Sequence, residues 1–157
     1  MDVRPLRADD VPALVDDLWL PFATEMGELD EYDALADDGH VRTNAMAYRQ
    51  RQFADDDVET FVVEADGSFL GYATVSYTES PPVFDRGATA KVTELYVTPD
   101  ARGRSLGTTL LDRAHEWGSE RDCEYAALSV HARNETAQAC YEQAGYETRY
   151  LKMDRPL

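Results

Sequence analysis

The sequence predicts an α/β layered domain built on a mixed sheet. Two observations carry that prediction. Apolar periodicity switches between strand-like and helix-like segments in the order β-α-α-β-β-β-α-β-α-β. The length of 157 residues, with 43% apolar residues, suits one compact core. Residues 1–157 are therefore read as a single domain, with no repeat, low-complexity stretch or linker.

Each element has a local reason. Val3–Leu6 is a short strand. Val11, Leu14, Val15 and Leu18 follow at helical spacing, with Pro12 in the first turn, where proline is tolerated. Pro21–Asp38 is acidic and weakly periodic, and reads as loop with room for a short helix. Val41–Phe53 is a second helix, and Asp55-Asp56-Asp57 is a solvated turn. Glu59–Ala65 and Phe69–Glu79 are strands joined by the hairpin signal Asp66-Gly67. Ser80–Gly87 is a loop, and Ala88–Val97 is a third long strand closed by Thr98-Pro99-Asp100. Ser105–Arg121 is a helix with Leu106, Leu110, Ala114 and Trp117 on one stripe. Glu124–Val130 is a strand, Asn134–Ala144 a helix stopped by Gly145, and Tyr146–Met153 a final strand.

Charge narrows the partners. Thirty-one acidic side chains against fifteen basic ones give a formal net charge of −16. Such a surface repels nucleic acid and anionic membranes, so neither is an expected partner. Only Lys91 and Lys152 are lysines; the other basic residues are arginines. An aspartate-rich, lysine-poor surface resembles proteins of salt-accumulating halophiles, in which molar salt shortens the screening length to about 3 Å. The two cysteines, Cys123 and Cys140, lack metal-ligand spacing and read as small buried thiols. No metal is expected. The N-terminal Met1-Asp2-Val3-Arg4-Pro5 has no apolar signal region, and no apolar run is long enough to span a bilayer. A cytoplasmic setting is expected.

The strongest chemical signal is a strand, loop and helix running Leu95-Tyr96-Val97-Thr98-Pro99-Asp100-Ala101-Arg102-Gly103-Arg104-Ser105-Leu106-Gly107-Thr108. A glycine-containing turn that enters a helix aims several orphan amides, and the positive end of the helix dipole, at one point. That point suits an anionic phosphate. Gly103 and Gly107 remove Cβ atoms where a ligand approaches, and two arginines add positive charge. GK[ST] and GxGxxG are both absent, which excludes a P-loop and a dinucleotide fingerprint. The plain alternative is a strand-to-helix turn that uses glycine for geometry.

Arg102-Gly103-Arg104-Ser105-Leu106-Gly107 resembles the pyrophosphate loop [RQ]-x-x-G-x-[GA] of the GNAT superfamily of acyl-CoA-dependent N-acetyltransferases. Ser105 stands where that pattern has its central glycine, which a serine fits if φ is negative there. Asn134 to Tyr146 resembles the same family's N-x-x-[AS]-x-x-x-Y-x-x-x-G-[FY]. Asn134, Ala137 and Tyr141 share one helix face, with a small residue between a polar cap and a phenol. Without the resemblance, Asn134 is an N-cap and Tyr141 an amphipathic core tyrosine.

The resemblance implies a mostly antiparallel central sheet flanked by about four helices. It implies acetyl-CoA as cosubstrate, held by Leu95, Tyr96 and Val97 on the strand. Arg102, Gly103, Arg104, Ser105, Leu106, Gly107 and Thr108 hold it in the loop, and Asn134 and Tyr141 on the last helix. The implied chemistry is direct attack of an amine on the thioester in a ternary complex. The amine must first lose a proton, and Glu94 is the candidate base, acting through a water. It lies in the apolar strand Val92–Val97, where an unpaired charge is costly, so it is expected to face a wet cleft; the plain alternative is an exposed or arginine-paired glutamate. A backbone N–H near Val97 would hold the oxyanion. Tyr141 would protonate the departing thiolate. His131 and His115 read as structural, and Trp19, Phe22, Tyr32 and Tyr77 as acceptor-site or core aromatics. A homodimer is compatible with the family. The alternative function is a CoA-binding sensor without turnover.

Overall fold

The computed structural model describes residues Asp2–Leu157. Five strands form one sheet in chain order: β1 (Asp2–Pro5), β2 (Val58–Ala65), β3 (Ser68–Thr78), β4 (Thr89–Val97) and β5 (Tyr125–Leu128). β1 to β4 pair antiparallel, and β5 lies parallel to β4. The parallel step needs a crossover, which helix α4 (Leu106–Glu120) supplies. The β2–β3 hairpin turns on Asp66 and Gly67, with φ of 52° and 78°. Two successive positive φ values match the right-handed twist of the flanking strands, so Asp-Gly serves here as the spacing predicts.

The helices divide between the two faces. Leu106, Leu110, Leu111, Ala114 and Trp117 of α4 pack on Phe61, Val63, Ala73, Val75, Ala90 and Val92. Gly118 lets that helix settle close to β4: a Cβ there would sit 2.6 Å from the Ala90 Cβ. The other face carries Leu6, Val62, Tyr72 and Tyr96 beneath Val11, Leu14 and Leu18. Those last three belong to a continuous helical run made of α1 (Val11–Ala13), a π-helical stretch (Leu14–Trp19) and α2 (Leu20–Leu29). Helix α3 (Val41–Phe53) completes this layer, and α5 (Glu135–Gln143) follows β5. Four helical bodies thus flank a mixed, mostly antiparallel sheet, the predicted fold class.

Three expectations change. Pro21–Asp38 is not mainly loop, because the first helix continues to Leu29. The π-helical turns just before Pro21 widen the helix, which eases the clash between a proline ring and the preceding carbonyl. Tyr146–Met153 forms no strand: residues 147–157 have no regular structure, and β5 pairs only with β4. Cys123 and Cys140 are free thiols but only half-buried.

A bulge in β4 decides which way the site residues face. Thr74 pairs with Glu94 and Val75 with Val92, so Thr93 is an extra residue in β4. Side chains alternate along a strand, so one inserted residue exchanges the faces beyond it. Ala90 and Val92 face α4, but past the bulge Leu95 and Val97 take that face. Tyr96 joins the core under α1 and α2, and Glu94, two residues before it, shares its face. If Thr93 paired regularly, without a bulge, the Glu94 carboxylate would face the apolar core beneath α4.

Candidate active site

The sheet splits where the motif residues lie. β4 and β5 pair from Thr89–Tyr125 to Val92–Leu128 and no further, while β4 stays paired with β3 as far as Val97–Gly71. From Thr93 to Val97, β4 therefore has a neighbour on one side only. The result is a wedge between two parallel strands that opens toward their C-terminal ends, with backbone polar groups on its β4 wall.

The predicted phosphate loop closes that end. A 3₁₀ turn (Pro99–Ala101) leads from β4 into the loop, and α4 starts at Leu106 with Ser105 as N-cap. Gly103 has φ of 80° and Ser105 φ of 62°. The expected negative φ at Ser105 is therefore corrected: the serine holds the left-handed conformation that suits glycine. An L side chain there costs about 1–2 kcal/mol. Among the described residues, the amides of Gly103, Arg104, Ser105, Leu106, Gly107 and Thr108 donate to no acceptor, and the first loop-closing bond is from Thr109 N–H to the Ser105 carbonyl. Free amides at a helix N-terminus suit an anionic group.

The two arginines divide their work. Arg102 Nε donates to the Val97 carbonyl at 3.0 Å, and its Nη2 donates to both Glu25 oxygens at 2.9 and 3.1 Å. Its guanidinium thus ties the loop to β4 and α2. Arg104 is exposed and bonds the Asp100 carbonyl at 3.3 Å. Burial, then the Glu25 carboxylate, pushes the neighbouring Tyr96 phenol up to about 12.

Glu94 accepts a hydrogen bond at Oε2 from Arg49 Nη2. The arginine-paired alternative is the one the fold adopts. Arg49 projects from α3, is 2% exposed, and also donates to Gln52 Oε1 at 3.0 Å. It lies over the Tyr72 ring, 5.5 Å from its centre. Burial disfavours its charge, but Glu94 outweighs burial and holds the guanidinium above its ordinary value. The Glu94 side chain keeps 17% exposure, so water reaches it. Beside Arg49 a pocket of about 330 Å³ is lined by Trp19, Leu35, Val41, Asn44, Ala45 and Tyr48. Of the four aromatics considered from sequence, only Trp19 lines it. Phe22 packs on Tyr72 and Tyr96, Tyr32 is exposed, and Tyr77 lies on the α4 face.

The second motif lies on α5, which follows β5. Asn134 Oδ1 accepts from Ala137 N–H at 3.1 Å, which caps α5. Tyr141 is half-buried against the α4-side core and stands edge-on to Tyr146. Burial, then Cys140, raises its phenol above the ordinary value, so the hydroxyl stays protonated at neutral pH. His115 Nε2 lies 2.6 Å from the Tyr146 hydroxyl. His131 accepts from Arg133 N–H at Nδ1, which places its ring proton on Nε2, 2.6 Å from Asp30 Oδ2. Both histidines are thus held by protein partners. With Asp33 nearby, the Asp30–His131 pair forms an acidic cluster in which the imidazole is already engaged.

A mixed sheet that opens at its parallel pair, with free amide donors at the mouth, defines the α/β class of this domain. The chain belongs to the Acetyltransferase (GNAT) family, whose description matches residues 13–146. Among curated relatives it is 34% identical over 86 residues to a putative ribosomal protein bS18-alanine N-acetyltransferase of Bacillus subtilis, covering 55% of this chain and 52% of that one. It is 32% identical over 93 residues to the streptothricin acetyltransferase of Streptomyces lavendulae, covering 59% and 46%. The chain spans about half the length of these two curated relatives. Among solved structures, an aminoglycoside N-acetyltransferase AAC(6')-Iy in complex with CoA superposes with a TM-score of 0.74 at 19% identity, covering 99% of this chain and 93% of that one. A predicted acetyltransferase with acetyl-CoA from Clostridium acetobutylicum gives 0.74 at 18%, covering 98% and 95%. These likenesses confirm the fold. No described helix is long and apolar enough to cross a membrane.

Arg49 was not picked out from sequence. The available signal was indirect: a glutamate inside an apolar strand calls for a cation, and thirteen arginines could have supplied it.

Proposed function

We propose that this chain binds acetyl-CoA in the wedge between β4 and β5 and transfers the acetyl group to a primary amine. The observation that carries the reading is the coincidence of the strand split after Val92–Leu128 with the amide cradle Gly103–Thr108 at its mouth. The cradle takes the pyrophosphate. The backbone of Leu95, Tyr96 and Val97 takes the extended arm along the β4 edge that β5 leaves free. The CoA and acetyl-CoA of the two structural neighbours support this assignment.

The chemistry is direct attack in a ternary complex. Glu94 takes a proton from the ammonium through a water, using the face of its carboxylate that Arg49 leaves open. The amine nitrogen then bonds to the thioester carbon. A β4 amide near Val97 stabilises the oxyanion. The carbon–sulfur bond breaks as the oxyanion collapses, and the thiolate takes the Tyr141 proton. The nitrogen gives up its second proton as the intermediate collapses; solvent carries it away, reprotonates Tyr141 and removes the proton on Glu94. The products are an amide and free CoA thiol.

The acceptor is a small-molecule or a protein amine. The relatives named for a ribosomal alanine and for streptothricin support either class. The test is thiol release from acetyl-CoA with a panel of amines in molar KCl. Amine-dependent release is expected. Acetyl-CoA binding with no release above hydrolysis would establish the sensor reading instead. A salt-accumulating cytoplasm fits the net charge of −16 and the two free thiols.

A further inference from the structure

The two strands that border the wedge part from each other, yet one helix touches both sides. Beyond Val92–Leu128, β4 and β5 share no ladder. α2 reaches the β4 side through Glu25, which accepts from Arg102 at 2.9 and 3.1 Å, while Arg102 Nε donates to the Val97 carbonyl. It reaches the β5 side at its C-terminal end. There the Leu29 carbonyl accepts from Arg133 Nη1 at 3.1 Å, and Asp30 Oδ2 accepts from His131 Nε2 at 2.6 Å. His131 and Arg133 belong to the turn between β5 and α5. Glu25 and Asp30 are five residues apart in sequence, which is about 7.5 Å along a helix. That span exceeds the roughly 4.8 Å between paired strands. One rigid element thus joins two edges that no longer pair.

Little apolar packing fixes either end. α2 has no fully buried residue, and neither has α5. β5 meets β4 only from Thr89–Tyr125 to Val92–Leu128, and Tyr125 is 47% exposed. The position of the turn after β5 therefore depends on its polar contacts. Those contacts run on into α5, where Gln138 Nε2 donates to the His131 and Ala132 carbonyls at 3.1 and 2.9 Å. Gln138 precedes Tyr141 by three residues, so the two are neighbours on the helix surface. The His131 ring is itself oriented, since Nδ1 accepts from the Arg133 N–H at 3.0 Å. At 20% and 26% exposure, the His131 and Asp30 side chains are largely shielded from the water that weakens surface pairs.

We propose that α2 is a crossbar that sets the width of the wedge, and that Asp30, His131 and Arg133 are positioning residues for acetyl-CoA. They act through α5 and the β4 edge and touch no reacting atom. With both ends fastened, β4 and α5 keep the spacing that an extended arm needs between them. With either end released, the turn after β5 and α5 drift together, and the arm loses one of its two walls. A crossbar works in series, so releasing its second end adds nothing to releasing its first. The effect on acetyl-CoA rests on the proposed cofactor site; the crossbar itself is a property of the ligand-free chain.

Hydrogen exchange of the ligand-free chain in molar KCl tests the crossbar. His131→Ala should speed exchange of the 125–128 amides about 10-fold and leave those of 72–75 unchanged. Glu25→Ala lies at the far end and removes no hydrogen bond made by β5 or its turn, yet it should speed the same amides. The double variant Glu25→Ala/His131→Ala should exchange no faster there than the faster single variant. Calorimetry then tests the consequence: His131→Ala should weaken acetyl-CoA about 10-fold. His131→Gln, which keeps an N–H toward Asp30, should restore binding to within about threefold. A Glu25→Ala chain whose 125–128 amides exchange as in wild type overturns the crossbar, as does a double variant in which the two effects multiply. Wild-type affinity in His131→Ala overturns the positioning role. If the wild type binds no acetyl-CoA, the proposed function fails and the positioning role with it, while the exchange series still decides the crossbar.

Discussion

Arg49 and Glu94, forty-five positions apart, are joined beneath α3 by a hydrogen-bonded ion pair whose guanidinium is almost wholly buried. Removing one partner of such a pair leaves an uncompensated charge, which costs about 3–5 kcal/mol. Arg49→Met should lower the guanidinium-chloride midpoint by a corresponding amount. The double variant Arg49→Met/Glu94→Gln should recover part of that stability.

Activity separates the roles of the two residues. Glu94→Gln keeps a hydrogen-bond acceptor for Arg49 but removes the base. Turnover should fall roughly 100-fold, with little change in the affinity for acetyl-CoA. Unchanged turnover would remove Glu94 from the proton path.

Tyr141→Phe should reduce turnover by about 100-fold while acetyl-CoA binding, measured by calorimetry, stays within about twofold. Burial keeps the phenol protonated, so the wild type should show no loss of activity as pH rises toward about 9 from this group. Collapse of affinity with intact turnover would assign Tyr141 to binding.

Ser105→Gly should stabilise the chain. The serine sits at φ of 62°, and glycine relieves the left-handed strain while adding back some unfolded-state entropy. The net expectation is a gain of about 0.5–1 kcal/mol, read as a raised denaturation midpoint. Acetyl-CoA affinity should hold or tighten, since the cradle geometry is the one glycine prefers.

His115 gives a pH signature. Burial lowers its pKa below the ordinary 6.5, so the unfolded chain binds its proton more readily than the folded one. Stability is therefore undiminished above about 6.5 and declines as pH falls through that value toward the lower folded one. In His115→Gln this part of the decline should vanish in denaturation curves taken in molar KCl. Salt itself should raise the melting temperature of every variant, since it screens the net charge of −16.

The order of elements, the Asp66-Gly67 hairpin, the amide-rich loop before α4 and the Asn134–Tyr141 helix are all legible along the chain, because periodicity, turn chemistry and capping act between near neighbours. The weak periodicity of Pro21–Asp38 reads as loop, yet the helix continues through Pro21 to Leu29. Ser105 was misread as needing negative φ, because the loop around it holds the left-handed conformation. The segment after Tyr146 has a strand's pattern, but a pattern does not supply a neighbour.

By itself, the sequence determined the layered α/β class, the glycine-containing loop before α4 and the spacing of Asn134 and Tyr141. Those depend on interactions within a few residues. Only the tertiary structure decided that Thr93 is a bulge, that the bulge turns Glu94 toward α3, and that Arg49 meets it there. It also decided that β4 and β5 part after Val92. Strand register, and the choice of one arginine among thirteen, are settled by contacts between distant segments, which no local spacing encodes.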